Sequence, residues 1–264
     1  MIISNKNVED YNIKGAIVLR SVFKDWVETL RVGIQKLILN PSPRERSYNP
    51  DDGSAPFFQD LCNWNRFQEF DDFVKKSPMG EIAAKLMKSN VSRFFHDHVL
   101  VKEPGSSIVT PWHQDQPYYC VDGMQNVSFW IPLDKINKKT SLKCVLGSHL
   151  GGKIHKPKRF NGDDLYKNDK SEDIPDIDSN LHNYKVLSWE LEPGDAIAFN
   201  FKIIHGAAAN LYQNHRRRVF SARLVGDDAT FLDKKGKGSP PFDHLNLKTG
   251  DQLDHPDFPV LYKK

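Results

Sequence analysis

The chain has 264 residues and a formal charge of +3, from 37 basic and 34 acidic side chains. With 39% hydrophobic and 27% charged residues, it reads as an ordinary soluble, folded chain, which excludes a disordered or collagen-like one. The charge is too balanced for a nucleic-acid binder, and no apolar run approaches the ~18 residues of a membrane-spanning helix.

The first fifteen residues carry no basic segment followed by an apolar core, so no secretory signal is expected. Residues 16–20 (AIVLR) read as a short strand. In residues 23–40, Phe23, Trp26, Val27, Leu30, Ile34, Leu37 and Ile38 recur at spacings of three and four, which predicts an amphipathic helix. Residues 41–56 are rich in Pro, Asp and Ser and read as a loop. Two further helices are expected near 67–76 and 80–90.

From about residue 91 the pattern changes to short segments rich in Val, Ile, Phe, Tyr and Trp. Strands are expected within 94–102, 109–119, 126–133, 141–147, 184–192, 195–204 and 219–225. Because they do not alternate with helices, they argue for an antiparallel sandwich or barrel. Residues 151–184 form the longest polar stretch of this region and read as an insertion, either mobile or folded over a site. Residues 229–264 are expected to be irregular but packed, given Phe242, Leu245, Phe258, Val260 and Leu261. The three cysteines, Cys62, Cys120 and Cys144, lack metal-binding spacing and read as reduced thiols of a cytoplasmic protein. No domain boundary is expected within 1–264: helices in 22–90 brace a β core over 91–228.

The chemistry gathers at Pro111-Trp112-His113-Gln114-Asp115. On a strand, residues two apart share a face, so His113 and Asp115 would converge. A second histidine would complete a two-His-one-carboxylate triad, which holds Fe(II) and leaves coordination positions open. His205 is the candidate, at the end of the apolar strand launched by the Pro193-Gly194-Asp195 turn. The glycine after it, Gly206, permits close backbone approach. Neither half of this pattern is specific alone; the conjunction is. The following strand opens with Arg216-Arg217-Arg218, and an arginine fork there suits the far carboxylate of a dicarboxylate co-substrate. Strand alternation sends neighbouring arginines to opposite faces.

Other residues compete with this reading. His96 and His98 share a strand face but have no third ligand at motif distance. His149, His155, His182, His215, His244 and His255 read as surface or loop residues, with His244 or His255 able to fold over the site. Lys102 either lines the pocket or faces solvent. No phosphate loop, GxSxG elbow or HExxH motif is present.

At these residues the sequence resembles the phytanoyl-CoA dioxygenase (PhyH-like) family of Fe(II)/2-oxoglutarate oxygenases. The likeness runs from Tyr11 to Asp228 through GAIVLRSVF, VLVKEPG, PWHQDQPY, VSFWIPLD, VLGSH, EPGDAIAFN, IIHGAAAN and RRRVFSARLVGDD. The resemblance implies a mainly β fold with flanking α-helices around a double-stranded β-helix (jelly-roll, cupin-like) core. It implies His113, Asp115 and His205 as iron ligands and Trp130 beside 2-oxoglutarate. The 2-oxoglutarate arginine falls on Arg216 by counting from His205, or on Arg217 by aligning the strand through Ser221 and Arg223. Ala207 stands where the family often has a serine, so one contact to 2-oxoglutarate is missing. Related halogenases have Gly or Ala at the carboxylate position; Asp115 therefore favours hydroxylation or another oxidation over halogenation.

The expected function is a non-haem Fe(II)/2-oxoglutarate-dependent dioxygenase that uses O2, hydroxylates a small-molecule metabolite and releases succinate and CO2. Trp112, Tyr118, Tyr119 and the 151–184 insertion are the expected substrate-facing elements. The alternatives are a metal-dependent hydrolase or isomerase on the same triad, or a non-catalytic jelly-roll binding protein. No nucleic-acid or membrane partner is expected.

Overall fold

The computed structural model describes residues 3–158, 162–166, 169–212, 214–234 and 238–264. The N-terminal part carries four helices and two strands: α1 (Asn5–Lys14), β1 (Ala16–Leu19), α2 (Val27–Leu39), β2 (Phe57–Leu61), α3 (Gln68–Lys76) and α4 (Met79–Met87). Hydrophobic periodicity does not reveal α1, because Tyr11 is the one buried residue of the ten. A cap starts it instead: Ser4 Oγ accepts from the Asn7 N–H at 3.2 Å, and the Asn7 side chain accepts from the Ser4 N–H at 2.9 Å. The apolar stripe of α2 follows the expected spacing and buries Leu30, Ile34 and Leu37.

The β region comprises β3 (Val91–Lys102), β4 (Thr110–His113), β5 (Val121–Asp122), β6 (Asn126–Pro132), β7 (Leu142–Val145), β8 (Val186–Ser188), β9 (Ala196–Phe199), β10 (His205–Ala207), β11 (Arg217–Val225), β12 (Thr230–Phe231) and β13 (Val260–Lys263). Three expectations need correction. The strand expected over 109–119 stops at His113, and residues 116–118 turn as a short 3-10 helix around Pro117. The strand expected over 195–204 stops at Phe199; the chain turns and begins a new strand at His205. The C-terminal segment is not wholly irregular, since β13 pairs with β3.

All pairings between these strands are antiparallel. The large sheet runs β1-β9-β6-β11-β3, with β2 and β13 sharing the outer edge of β3. The small sheet runs β4-β10-β7-β8. Trp130, Ile197, Phe199 and Val219 of the large sheet pack with Leu142, Cys144 and Ala207 of the small one. This is the expected two-sheet jelly-roll architecture. The turn between them is tight: Gly194 has φ +84°, and a Cβ there would lie 2.4 Å from the Lys24 backbone.

The outer face of the large sheet carries the helices. Alternation along β11 sends Phe220, Ala222 and Leu224 into the helix-packed core and leaves Arg217, Val219, Ser221 and Arg223 on the inner face. Phe220 is fully buried, with ring centroids 5.1 Å from Phe70 and 5.4 Å from Phe73 of α3. Among the described residues, no helix is long and apolar enough to cross a membrane. Phe220→Ala should lower unfolding stability by about 3–5 kcal/mol in urea titrations; a loss below ~1 kcal/mol would contradict this packing.

Candidate metal centre and its cavity

A cavity of about 620 Å³ lies between the sheets, within the ~300–1,000 Å³ range of small-molecule sites. At one end stand His113, which closes β4, and His205, which opens β10. They are cross-strand partners, with ring centroids 4.2 Å apart. A Cβ on the next residue, Gly206, would stand 3.0 Å from the Thr110 carbonyl oxygen, so glycine suits this close pairing of β10 with β4. Each ring has Nδ1 against a carbonyl two residues back: His113 to Pro111 O at 2.8 Å, His205 to Ile203 O at 3.0 Å. Nδ1–H donation to these carbonyls leaves both Nε2 lone pairs free. The two Nε2 atoms lie 3.5 and 3.7 Å from Asp115 Oδ1, and the three ligand atoms fall within 4.8 Å of one another. The donor set, two neutral imidazoles and one carboxylate converging on one point, fits Fe(II).

Asp115 does not converge through strand alternation. It sits in a turn with φ −76° and ψ −40°, and Phe201 O accepts from both the Asp115 and Gln116 N–H groups, at 2.8 and 2.9 Å. The turn that delivers His205 therefore also holds Asp115. Its second oxygen is engaged: Ser128 Oγ–H donates to Oδ2 at 3.3 Å, and Arg223 Nη2 lies 3.7 Å away. Arg223 is in turn fixed by Tyr119 Oη at 2.9 Å and Ser221 O at 3.1 Å. Burial works to raise the Asp115 carboxyl, but His205, His113 and Arg223 outweigh it and hold it well below the usual carboxylate range.

At the other end stand a buried arginine and a buried lysine. Arg217, 6% exposed, points inward and donates to Thr140 O. Its cross-strand partner Lys102, 1% exposed, donates to Ile108 O at 2.5 Å and Ala208 O at 3.2 Å. Among the described residues neither has a carboxylate partner. Burial, followed by the Arg217 charge, pushes Lys102 down to about 6. Arg216 turns the other way and pairs with Glu103 at 2.9 Å, as Arg218 does with Asp134 at 2.6 Å. Trp130 lies in the cavity wall, opposite Ser221 in register.

Residues alternating with the two ligands of the HxD segment tie down the insertion. Gln114 Nε2 donates to Lys153 O and Lys202 O, and its Oε1 accepts from the His155 N–H. Trp112 Nε1 donates to Asp178, and Tyr118 Oη to Lys158 O. The insertion thus folds over the mouth; residues 159–161 and 167–168 of it lie outside those described. His149 and His155, expected at the surface, are buried at 7% and 6% exposure. His96 and His98 form part of the cavity wall.

Motif spacing did not single out Lys102, Arg223 or Ser128. The signal available was the two-residue period of β3, β6 and β11, which becomes informative only once their mutual register is known.

Asp115→Ala should weaken stoichiometric Mn(II) or Fe(II) binding in equilibrium dialysis while the fold persists; unchanged affinity would contradict the triad. Burial also pushes His205 down to about 3. Unfolded, it titrates near 6.5, so between the two values the unfolded chain binds more protons. Metal-free protein should accordingly lose stability as pH falls from about 6.5 towards 3, by up to ~1.4 kcal/mol per pH unit from this group. His205→Leu should flatten that slope in urea titrations.

Comparison with known proteins gives one family and a set of similar folds. The model of the family described as phytanoyl-CoA dioxygenase (PhyH) matches residues 11–219. A Caenorhabditis elegans protein named probable phytanoyl-CoA dioxygenase is 29% identical over 147 residues, covering 53% of this chain and 45% of that one. The chain thus spans under half the length of this curated relative. The structure of SnoK, a non-heme alpha ketoglutarate dependent carbocyclase from nogalamycin biosynthesis, superposes with a TM-score of 0.78 at 18% identity, covering 98% of this chain and 96% of that one. The epimerase SnoN, solved with Fe3+, alpha ketoglutarate and nogalamycin RO, gives 0.74 at 18% identity over 97% of each chain. EctD from S. alaskensis with bound Fe gives 0.66 at 16% identity, over 85% of this chain and 77% of that one. At these identities the structural likeness is one of fold.

Proposed function

The chain belongs to the phytanoyl-CoA dioxygenase (PhyH) family of non-haem iron, 2-oxoglutarate-dependent enzymes, and on that premise we propose that it hydroxylates a small molecule with release of succinate and CO2. One observation carries the reading. A single cavity has a His-Asp-His ligand set at one end and a buried arginine and lysine without acidic partners at the other. That polarity matches a dicarboxylate whose 2-oxo acid end chelates the metal.

Iron(II) held by His113, Asp115 and His205 would supply the oxidation, in which O2 delivers one oxygen atom to succinate and the other to the substrate as hydroxyl. The protein's part is positional. The Pro111 and Ile203 carbonyls hold the imidazoles in the tautomer that presents Nε2. Ser128 and Arg223 hold Asp115 Oδ2, so that Oδ1 is the oxygen presented to the metal. Arg217 and Lys102 bind the distal carboxylate of 2-oxoglutarate, beside Trp130. Arg217 is favoured over Arg216 because Arg216 is committed to Glu103 outside the cavity. The insertion limits water at the mouth. A hydrolase on the same triad leaves the Lys102–Arg217 pair without a role. The protein is read as cytoplasmic, with a small molecule rather than nucleic acid or membrane as its partner.

The direct test is uncoupled turnover: Fe(II)-loaded protein in air should slowly convert 2-oxoglutarate to succinate without a prime substrate, and no conversion would favour a binding protein or hydrolase. Arg217→Ala should raise the 2-oxoglutarate requirement by the ~2–5 kcal/mol of a desolvated charge pair, whereas Arg216→Ala should leave it unchanged. Equal effects would remove Arg217 as the anchor. Lys102, largely neutral at pH 7.5, should regain its charge beside a bound dicarboxylate. Calorimetry in buffers of different ionisation enthalpy should then show uptake approaching one proton, lost in Lys102→Met.

A further inference from the structure

The inner face of the large sheet extends beyond Lys102 and Arg217. Residues 46–48 run antiparallel to β2: the Arg46 N–H donates to Gln59 O at 2.8 Å, and Tyr48 and Phe57 exchange backbone hydrogen bonds at 2.9 and 3.0 Å. The register across four adjacent segments therefore aligns rows on the cavity face. Phe57, Lys102 and Arg217 form one; Arg46, Gln59, Leu100 and Val219 the next; Leu61, His98 and Ser221 a third.

Four side chains on this face carry buried polar atoms without partners: Gln59, His96, His98 and Ser221. Gln59 is 3% exposed and its Nε2 has no acceptor; His98 Nε2 is likewise buried and unpaired. Leaving such a group unsatisfied costs about 1–3 kcal/mol, so a ligand is the natural partner. The cations at the mouth differ in one respect. Lys156 and Lys158 are neutralised by Asp164 at 3.4 Å and Asp173 at 3.0 Å. Arg46, exposed at the rim, donates to the Glu45 carbonyl and has no carboxylate partner among the described residues.

We infer that Arg46 and Gln59 bind a carboxylate of the molecule to be oxidised, while His98 hydrogen-bonds a polar group of the same molecule closer to the iron ligands. Strand spacing of ~4.8 Å puts Gln59 about 10 Å and Arg46 about 14 Å across the sheet from β11. The carboxylate held at Arg217 cannot reach both, so this is a second anion locus. One uncompensated cation beside a neutral amide donor suits a monoanion rather than a phosphate dianion. The inference deepens the dioxygenase reading and rests on it for the identity of the ligand as prime substrate.

The test uses fluorine NMR linewidths of 4-fluorophenylacetate and of its primary amide, with Mn(II)-loaded protein, before and after saturation with 2-oxoglutarate. The acid should bind about tenfold or more tightly than the amide, as a charge-assisted hydrogen bond implies, and the preference should survive 2-oxoglutarate. Arg46→Ala should abolish the preference, Gln59→Leu should weaken it, and Arg217→Ala should keep it. A preference that is absent, displaced by 2-oxoglutarate, or retained in Arg46→Ala overturns the subsite. If 2-oxoglutarate itself fails to bind by calorimetry, the dioxygenase reading fails. The acid-against-amide comparison in the Arg46 and Arg217 variants still decides the subsite.

Discussion

The register of β11 between β6 and β3 is the constraint on which the rest depends. Successive residues of this strand serve opposite purposes. Phe220, Ala222 and Leu224 enter the helix-packed core, while Arg217, Val219, Ser221 and Arg223 face the cavity. A slip of one residue would exchange the two sets. It would drive Arg216 and Arg218 inward, remove the guanidinium beside Asp115 Oδ2 and leave phenylalanine where the cavity needs polarity. The aromatic contacts of Phe220 with Phe70 and Phe73 thus guard the chemistry on the far face. The helices contribute no residue to the triad, yet they set which face of β11 the triad meets.

The second dependence runs between the sheets. The triad draws both histidines from the small sheet, and the groups that aim its carboxylate, Ser128 and Arg223, from the large one. Phe201, in the turn that leaves the large sheet, accepts hydrogen bonds from the Asp115 and Gln116 backbone. Relative movement of the sheets would therefore separate the ligands from their support. The insertion adds a third tie through Trp112, Gln114 and Tyr118. The segment that bears His113 and Asp115 is also the one that holds the mouth of the cavity.

Much of this was legible in the sequence, and the limits have physical reasons. Alternating apolar segments indicated an antiparallel β core, and the spacing of α2 indicated its buried stripe. His113, Asp115 and His205 were singled out by residue type and context, and the structure brings them together. The route differs, however. Pro117 and the double hydrogen bond to Phe201 end the strand before Asp115, and the turn at Asn200–Ile203 gives His205 a strand of its own. Such breaks are made by tertiary hydrogen bonds, which leave no trace in a local pattern. Gln59 and Arg46 were hidden for another reason, and the sequence left Lys102 open between pocket and solvent. Their segments are distant in sequence, and the shared cavity face emerges only once β2, β3 and β11 are placed in register. α1 escaped because its helix rests on a cap rather than on an apolar stripe.

Whether one cavity holds both the metal and the dicarboxylate decides the dioxygenase reading. Anaerobic titration of 2-oxoglutarate into Fe(II)-loaded protein measures this directly, through the weak visible charge-transfer band of the chelate. A saturable band at one equivalent of iron is expected, weakened in Asp115→Ala and shifted to higher 2-oxoglutarate concentration in Arg217→Ala. Iron bound at the triad with no band at any 2-oxoglutarate concentration would contradict that reading.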